Sequence, residues 1–409
     1  VRIALLHSFY ASDQSSGENV VVEAQCEALG AAGHDVLLLG RHTDRELHIP
    51  GYKVRAAWRT LTSLGPDPEP RLRQFAPSIV HIHNTVPNIG LHWMRRWPGP
   101  IVHTLHNFRP ICANGLLFRD GRLCTDCPDG KPWSAVEHAC YRESRVASTP
   151  IALRNTAGVE HNPLLTRADA IIVLSEFTRD TFARYGVSGD RLRLVPNGVA
   201  SVHSDATPMP AEAQWLAVGR LRAEKGFAEL LHGWPHSARL DLVGDGPQHD
   251  QLAELAGSRV HLLGQLSPYA LRDSMPSYRG LVFTSLAPES AMPLVIVEAL
   301  EAGLPILVSL TSPHAAQLIA DGVAMGIRIS EGSADTASIL AAMDWVAAGG
   351  DGLRQRCREV FEDRYTQAQW VNRITDVYRE QIDAYPLRMP RFARGTASAK
   401  RPGSRGRST

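Results

Sequence analysis

The chain has 409 residues, 44% hydrophobic and 21% charged, the balance of a soluble globular protein too long for one ordinary core. No stretch reaches the roughly 18 to 20 apolar residues that a membrane-spanning helix needs. The net charge of +1 hides an asymmetry: seven basic residues and no acid run from Arg388 to the end, leaving about −6 on the rest.

The N-terminal "VRIALLHSFY" enters a strand without the layout of a signal peptide, so the cytoplasm is the expected compartment. Short apolar, β-branched runs then recur every 20 to 45 residues or so, roughly one per strand-helix unit, with helical patterns between them. In the first half they predict strands at Arg2 to Leu6, Val36 to Leu39, Ile79 to His83, Ile101 to Leu105, Ile171 to Leu174 and Leu192 to Val195. In the second half the runs are Leu216 to Gly219, Leu240 to Val243, Val260 to Leu263, Gly280 to Thr284, Ile306 to Ser309 and Gly326 to Ile329. Continuous apolar strands separated by helices form parallel sheets covered on both faces, and two such series predict an α/β protein of two doubly wound domains. The stretch from Pro196 to Gln214, rich in Pro, Ser and Ala, reads as the linker. The expected domains are 1–198 and 199–375, followed by a helix end at 376–387 that returns to the first domain and a disordered basic tail at 388–409. Such a tail reads first as solvated without a partner; its functional reading is a peripheral contact with an anionic membrane surface, and nucleic acid is not expected.

Paired doubly wound domains bind ligands beyond the carboxyl ends of their strands, so the loops there carry the candidates. After the first strand, Gly17 precedes a helix whose free N–H groups at Glu18 to Val20 favour an anion. The dinucleotide fingerprint G-x-G-x-x-G is absent, which counts against an NAD-dependent dehydrogenase. After the fourth strand, His106 can hydrogen-bond a substrate hydroxyl or assist proton transfer, or simply cap local backbone. In "VGRLRAEKGF", Gly219, Arg220 and Lys225 surround a loop, and two converging cations are what a diphosphate needs. Gly244 opens a tight turn, "GDGP", that suits close backbone approach or a plain strand-to-helix connection.

The stretch "APESAMPLVIVEALEAGLP" predicts a helix from Pro293 to Ala302, opened by Pro293 and ended at Gly303. Free N–H groups at Pro293, Leu294 and Val295 would receive a phosphate or sugar oxygen, and Glu298 could accept hydrogen bonds from a diol. Glu289 and Glu298 fit a glycosidase pair poorly, because that chemistry needs two carboxylates facing each other across one bond. Cys112, Cys124, Cys127 and Cys140 lie within an insert at 107–145, and this C-x-x-C flanked by two further cysteines suggests a structural zinc site, with reduced thiols or a disulfide as alternatives.

Taken in order, "VLSEFTRD", "LVPNGV", "GRLRAEKG", "LVGDGP" and "PLVIVEALEAGLP" resemble the retaining nucleotide-sugar glycosyltransferases of family 4, or glycosyl transferase group 1, with the GT-B fold. The likeness runs from Arg2 to about Tyr378. It implies two Rossmann-like domains facing across a cleft, and transfer of a hexosyl-type sugar from a nucleotide-sugar donor to a carbohydrate, lipid or small-molecule acceptor. Retention of anomeric configuration and no catalytic metal are implied as well. By the same resemblance, Arg220 and Lys225 hold the donor diphosphate, Gly17 lets a loop close over it, Glu298 binds the ribose and His106 touches the donor sugar. The family's first glutamate would stand at position 290, which is Ser290 here; a one-residue bulge is expected to return Glu289 to that role. A catalytically silent binding protein and a nucleotide-sugar 2-epimerase are the alternative readings.

Overall fold

The computed structural model describes residues 1–12, 17–204, 208, 213–330 and 332–388. The basic tail expected beyond Arg388, and residues 205–207 and 209–212 of the expected linker, lie outside the described residues.

Each of the twelve apolar runs becomes a strand. β1 (Arg2–Phe9), β2 (Asp35–His42), β3 (Ile79–Ile82), β4 (Ile101–Leu105), β5 (Ala170–Val173) and β6 (Leu192–Leu194) form one parallel sheet in the order β2-β1-β3-β4-β5-β6. β7 (Trp215–Val218), β8 (Leu240–Val243), β9 (Val260–Gly264), β10 (Gly280–Phe283), β11 (Ile306–Ser309) and β12 (Ala324–Ile327) form the second, in the order β9-β8-β7-β10-β11-β12. Helices between successive strands cover the faces, so the central strands bury both sides. β1 is buried from Ile3 to Phe9, and β3, β4 and β5 throughout, whereas the edge strand β2 is mostly half-buried.

One face of the first sheet packs on Trp93, Phe108 and Phe182. The other packs on Leu29 and on Trp370, Ile374, Val377 and Tyr378 of the helix Gln367–Arg388. Each such buried apolar side chain contributes about 1.5–3 kcal/mol, so this last helix is fixed to the first sheet although it follows the second. The second sheet has its own apolar layers, one built on the helix Leu294–Glu301 and the other on Trp215, Phe227 and Ile339. Fully buried Glu301 accepts hydrogen bonds from the backbone N–H groups of Val202 and His203, and it also faces Arg358 and Arg272. This ties the chain just before the second sheet to the Leu294–Glu301 helix.

Strand order reverses between β1 and β3 in the first sheet and between β7 and β10 in the second. The crevices beyond the carboxyl ends of those pairs are where doubly wound sheets bind ligands.

Candidate functional site

At the second crevice, glycines bring two loops into backbone contact. A Cβ at Gly244 would stand 1.9 Å from the carbonyl oxygen of Gly219, and Leu221 N–H donates to the carbonyl of Asp245 at 3.0 Å. Gly219 in turn lies beside Lys225, whose Cγ a Cβ there would meet at 3.8 Å. The loop after β10 is laced to the same segment: Thr284 Oγ1 donates to the carbonyl of Lys225 at 2.7 Å, and Leu286 N–H to that of Glu224 at 2.8 Å. Lys225 Nζ reaches Glu289 Oε1 at 2.6 Å, and Ser285 Oγ donates to the same oxygen at 2.9 Å. Burial raises the Glu289 carboxyl, but Lys225 and Ser285 outweigh it and hold the group below the usual carboxylate range. Arg220 is exposed at the mouth of this loop.

The Leu294–Glu301 helix starts after Pro293, whose ψ of 135° is extended, so Pro293 caps the helix rather than opening its first turn. Gly17 lies close to this start, since a Cβ there would be 3.8 Å from Leu294 Cδ1. Glu298 is half-buried, and its carboxyl has no hydrogen-bond partner among the described residues. Desolvation pushes its pKa up to about 7, against the pull of Arg272 and with a smaller push from Glu301. A carboxyl in this state is open to hydroxyl donors.

Ser290, next to Glu289, faces the first half. Its Oγ donates to the carbonyl of His106 at 2.5 Å, and its own carbonyl accepts from Ser175 Oγ at 3.0 Å and Thr178 Oγ1 at 2.5 Å. One short loop therefore carries Glu289 against Lys225 and Ser290 against His106, which brings the two sets of expected residues together.

The first crevice is lined by imidazoles. His106 Nε2 lies 2.9 Å from His83 Nδ1, while His81 is held between Tyr378 OH at 2.6 Å and Thr104 Oγ1 at 2.7 Å. Burial and mutual repulsion keep His83 and His106 well below the usual imidazole range, and burial takes His7 down to about 4. His106 is thus a neutral imidazole with one ring nitrogen already engaged by His83.

The expected zinc site finds no support. Cys112, Cys124, Cys127 and Cys140 do line one small cavity of about 10 Å³, and all are unpaired thiols. Yet among the described residues no group of three or more His, Cys, Asp or Glu side chains is placed to hold a metal ion. Three of the thiols are held in their neutral form by their surroundings. Burial raises Cys112, Cys127 and Cys140, taking Cys127 to about 12 with the neighbouring cysteines adding to the shift.

Sequence reading missed His83, Ser290, Arg109 and Arg154. The signal for His83 was present: "HIHN" and "HTLHN" put imidazoles at the ends of apolar strands, where a buried polar group needs a reason. For Arg154 there was none, since it approaches the crevice from a helix that follows the cysteine insert.

Two family models match the chain: Glycosyltransferase Family 4 over residues 15–201 and Glycosyl transferases group 1 over residues 212–348. No curated protein matches by sequence. Among solved structures, sucrose-phosphate synthase from Thermosynechococcus elongatus superposes with a TM-score of 0.65 at 19% identity, covering 94% of this chain and 99% of that one. A glycosyltransferase from Rickettsia africae gives 0.61 at 12% identity, covering 93% and 98%. Anabaena Alr3699/HepE, solved in complex with UDP, gives 0.59 at 15% identity, covering 93% and 100%. With two parallel six-stranded sheets and both family models matched in order, the chain belongs to the GT-B glycosyltransferases of the family 4 type.

Proposed function

We propose that the protein transfers a hexosyl-type sugar from a nucleoside diphosphate sugar to an acceptor hydroxyl, with retention of anomeric configuration. In this reading residues 199–375 hold the donor and residues 1–198 the acceptor. The carrying observation is Lys225 at the second strand-order reversal, ion-paired to Glu289 at 2.6 Å and next to the start of the Leu294–Glu301 helix through the same loop. An ammonium has three donors, so Lys225 can keep Glu289 and still meet a phosphate oxygen. Negative charge grows on the departing diphosphate in the transition state. Arg220, Lys225 and the N–H groups at the helix start would stabilise it, each donor by roughly 3–4 kcal/mol.

Glu298 receives the ribose hydroxyls, and neutral His106 offers a hydrogen bond to the donor sugar. Cations and a helix dipole supply the positive charge, so the reaction in this reading needs no catalytic metal. The neighbour solved with UDP, and with UDP and glucose, makes UDP the first nucleotide to test. Among the described residues no helix is long and apolar enough to cross a membrane. Any membrane contact in this reading is peripheral, through the basic tail.

Release of nucleoside diphosphate, measured with and without acceptor, tests the reading. Acceptor-dependent release supports it, conversion of the donor to its C2 epimer without net release indicates the 2-epimerase, and binding with neither release nor conversion indicates a silent binding protein.

A further inference from the structure

The first crevice contains a second chemical feature besides its histidines. Arg109, from the loop after β4, and Arg154, from the helix Arg145–Asn155, line one pocket with His83, His106, Asn107 and Glu18. Arg154 Nη2 donates to the carbonyl of Arg109 at 3.3 Å, and Arg109 Nη1 donates to the hydroxyl of Tyr10 at 3.2 Å. The Nε of each arginine is buried without a hydrogen-bond partner among the described residues. Neither guanidinium has a carboxylate within ion-pair distance among those residues. The pocket's one acidic side chain is Glu18, whose Oε2 accepts from Tyr10 OH at 3.3 Å and whose buried Oε1 lies 4.0 Å from His7 Nδ1 with no hydrogen-bond partner among the described residues.

Two guanidinium groups line one pocket out of water, and the charge of Arg109 acts against that of Arg154. Burial first, and the charge of Arg109 second, bring Arg154 down to about 10. Arg109 itself is raised, by Tyr10 first and also by Tyr141 and Glu18, although burial pushes the Glu18 carboxyl up to about 7. His83 and His106 are neutral and add no countercharge. A face of Tyr141 lies 5.7 Å from the guanidinium of Arg109, which supports the cation without satisfying its N–H groups. An arrangement of this kind is stabilised by an anion, since planar guanidinium forks match carboxylate and phosphate oxygens. The pocket offers about 40 Å³. That volume holds about three water molecules, the size of a carboxylate or phosphate group.

We propose that this pocket binds an anionic group of the acceptor, a carboxylate or a phosphate, between Arg109 and Arg154. The proposal rests on the glycosyltransferase reading of the cleft and narrows the acceptor to a charged one, a sugar acid or a phosphorylated carrier. All of the pocket's lining residues belong to the first sheet and its connections, whereas the donor diphosphate is assigned to Arg220 and Lys225 across the cleft.

Calorimetric titration of the full chain tests it, with methyl glucuronide against methyl glucoside and an alkyl phosphate against the parent alcohol. Each pair is run on wild type, Arg109→Gln, Arg154→Gln and the charge-keeping Arg109→Lys and Arg154→Lys. UDP is titrated in parallel. At least one anionic probe is expected to bind wild type about tenfold or more tighter than its neutral counterpart, and each Gln variant to lose about tenfold or more of that affinity. The Lys variants should retain part of it, and UDP affinity should stay unchanged. Preference for the glucuronide points to a sugar acid, preference for the phosphate to a phosphorylated carrier. Equal binding of charged and neutral probes, no binding of either anion, or loss of UDP affinity in step with the anion would overturn the proposal. Failure of UDP to bind wild type would instead count against the donor reading, leaving the anion titrations to judge the pocket by themselves.

Discussion

Where β3 and β4 end, the side chains facing the crevice are imidazoles; where β7 and β10 end, they are an ammonium, a guanidinium and carboxylates. The difference comes from where the groups stand. His81 and His103 lie within strands buried on both faces, so desolvation strips their charge and takes them to about 3 and about 4. Lys225 and Glu289 stand on loops that keep some water and find each other, which holds the Glu289 carboxyl below the usual range. A neutral wall suits sugar hydroxyls and a charged wall suits a diphosphate. Arg109 and Arg154 break the pattern on the neutral side, which is why they are singled out as an anion site.

The strongest test of the charged side is its backbone contact. Gly244→Ala puts a methyl 1.9 Å from the Gly219 carbonyl oxygen, so one of the two loops must move. A cost of about 3 kcal/mol in stability is expected, read by chemical denaturation, together with weakened UDP binding. Unchanged stability would mean that the two loops are not packed as described. Lys225→Ala comes next. It removes a charged donor and leaves the half-buried Glu289 without its cation, so UDP affinity should fall by about 1.5–3 kcal/mol. If calorimetry finds UDP binding intact, the charged wall does not serve the donor.

How much of this contrast was legible in the sequence depends on the kind of signal. All twelve strands were visible: the buried central ones read as unbroken apolar runs, and the half-buried edge strands β2 and β9 as shorter apolar stretches between helical patterns. The helix after Pro293 was visible because proline and glycine mark its two ends. Lys225, Gly219 and Gly244 followed from their places just beyond strands. The role of Ser290 was not visible, since it depends on the loop reaching across to the carbonyl of His106. Nor was the pairing of His83 with His106, because residues 23 apart in sequence meet only through the register of β3 on β4. The cysteine spacing pointed to zinc, but spacing says nothing of side-chain geometry, and among the described residues no three such groups are placed to hold a metal ion.

Glu298 offers a smaller and pH-dependent test. Its carboxyl is raised from 4.5 to about 7, so the unfolded chain gives up this proton at lower pH than the folded one. The group therefore favours the fold below about 4.5, and that advantage is lost as pH climbs through about 7. Glu298→Gln should accordingly gain thermal stability relative to wild type at pH 8 but not at pH 4.5. For UDP the effect reverses: the ionised carboxylate is the better acceptor for ribose hydroxyls, so wild-type affinity should rise between pH 6 and 8. The glutamine variant should lose about 1–2 kcal/mol at pH 8 and show a flatter profile. Identical profiles for the two proteins would remove Glu298 from the donor site.

The smallest expected effect asks whether the histidine row is functional along its whole length. Tyr378, fully buried on the C-terminal helix, meets His81 Nδ1 at 2.6 Å, and His81 Nε2 is taken by Thr104. With both ring nitrogens engaged, His81 has nothing left to offer a substrate. It anchors the returning helix, whereas His83 keeps a buried Nε2 without a partner among the described residues. Tyr378→Phe preserves the packing and removes one hydrogen bond, at a cost of about 1 kcal/mol. In a chain of this length that lowers the melting temperature by about 2 °C. UDP affinity should not change. If it falls with the melting temperature, the helix that crosses from the second sheet to the first is transmitting strain to the donor loops, and the neutral and charged walls are not independent.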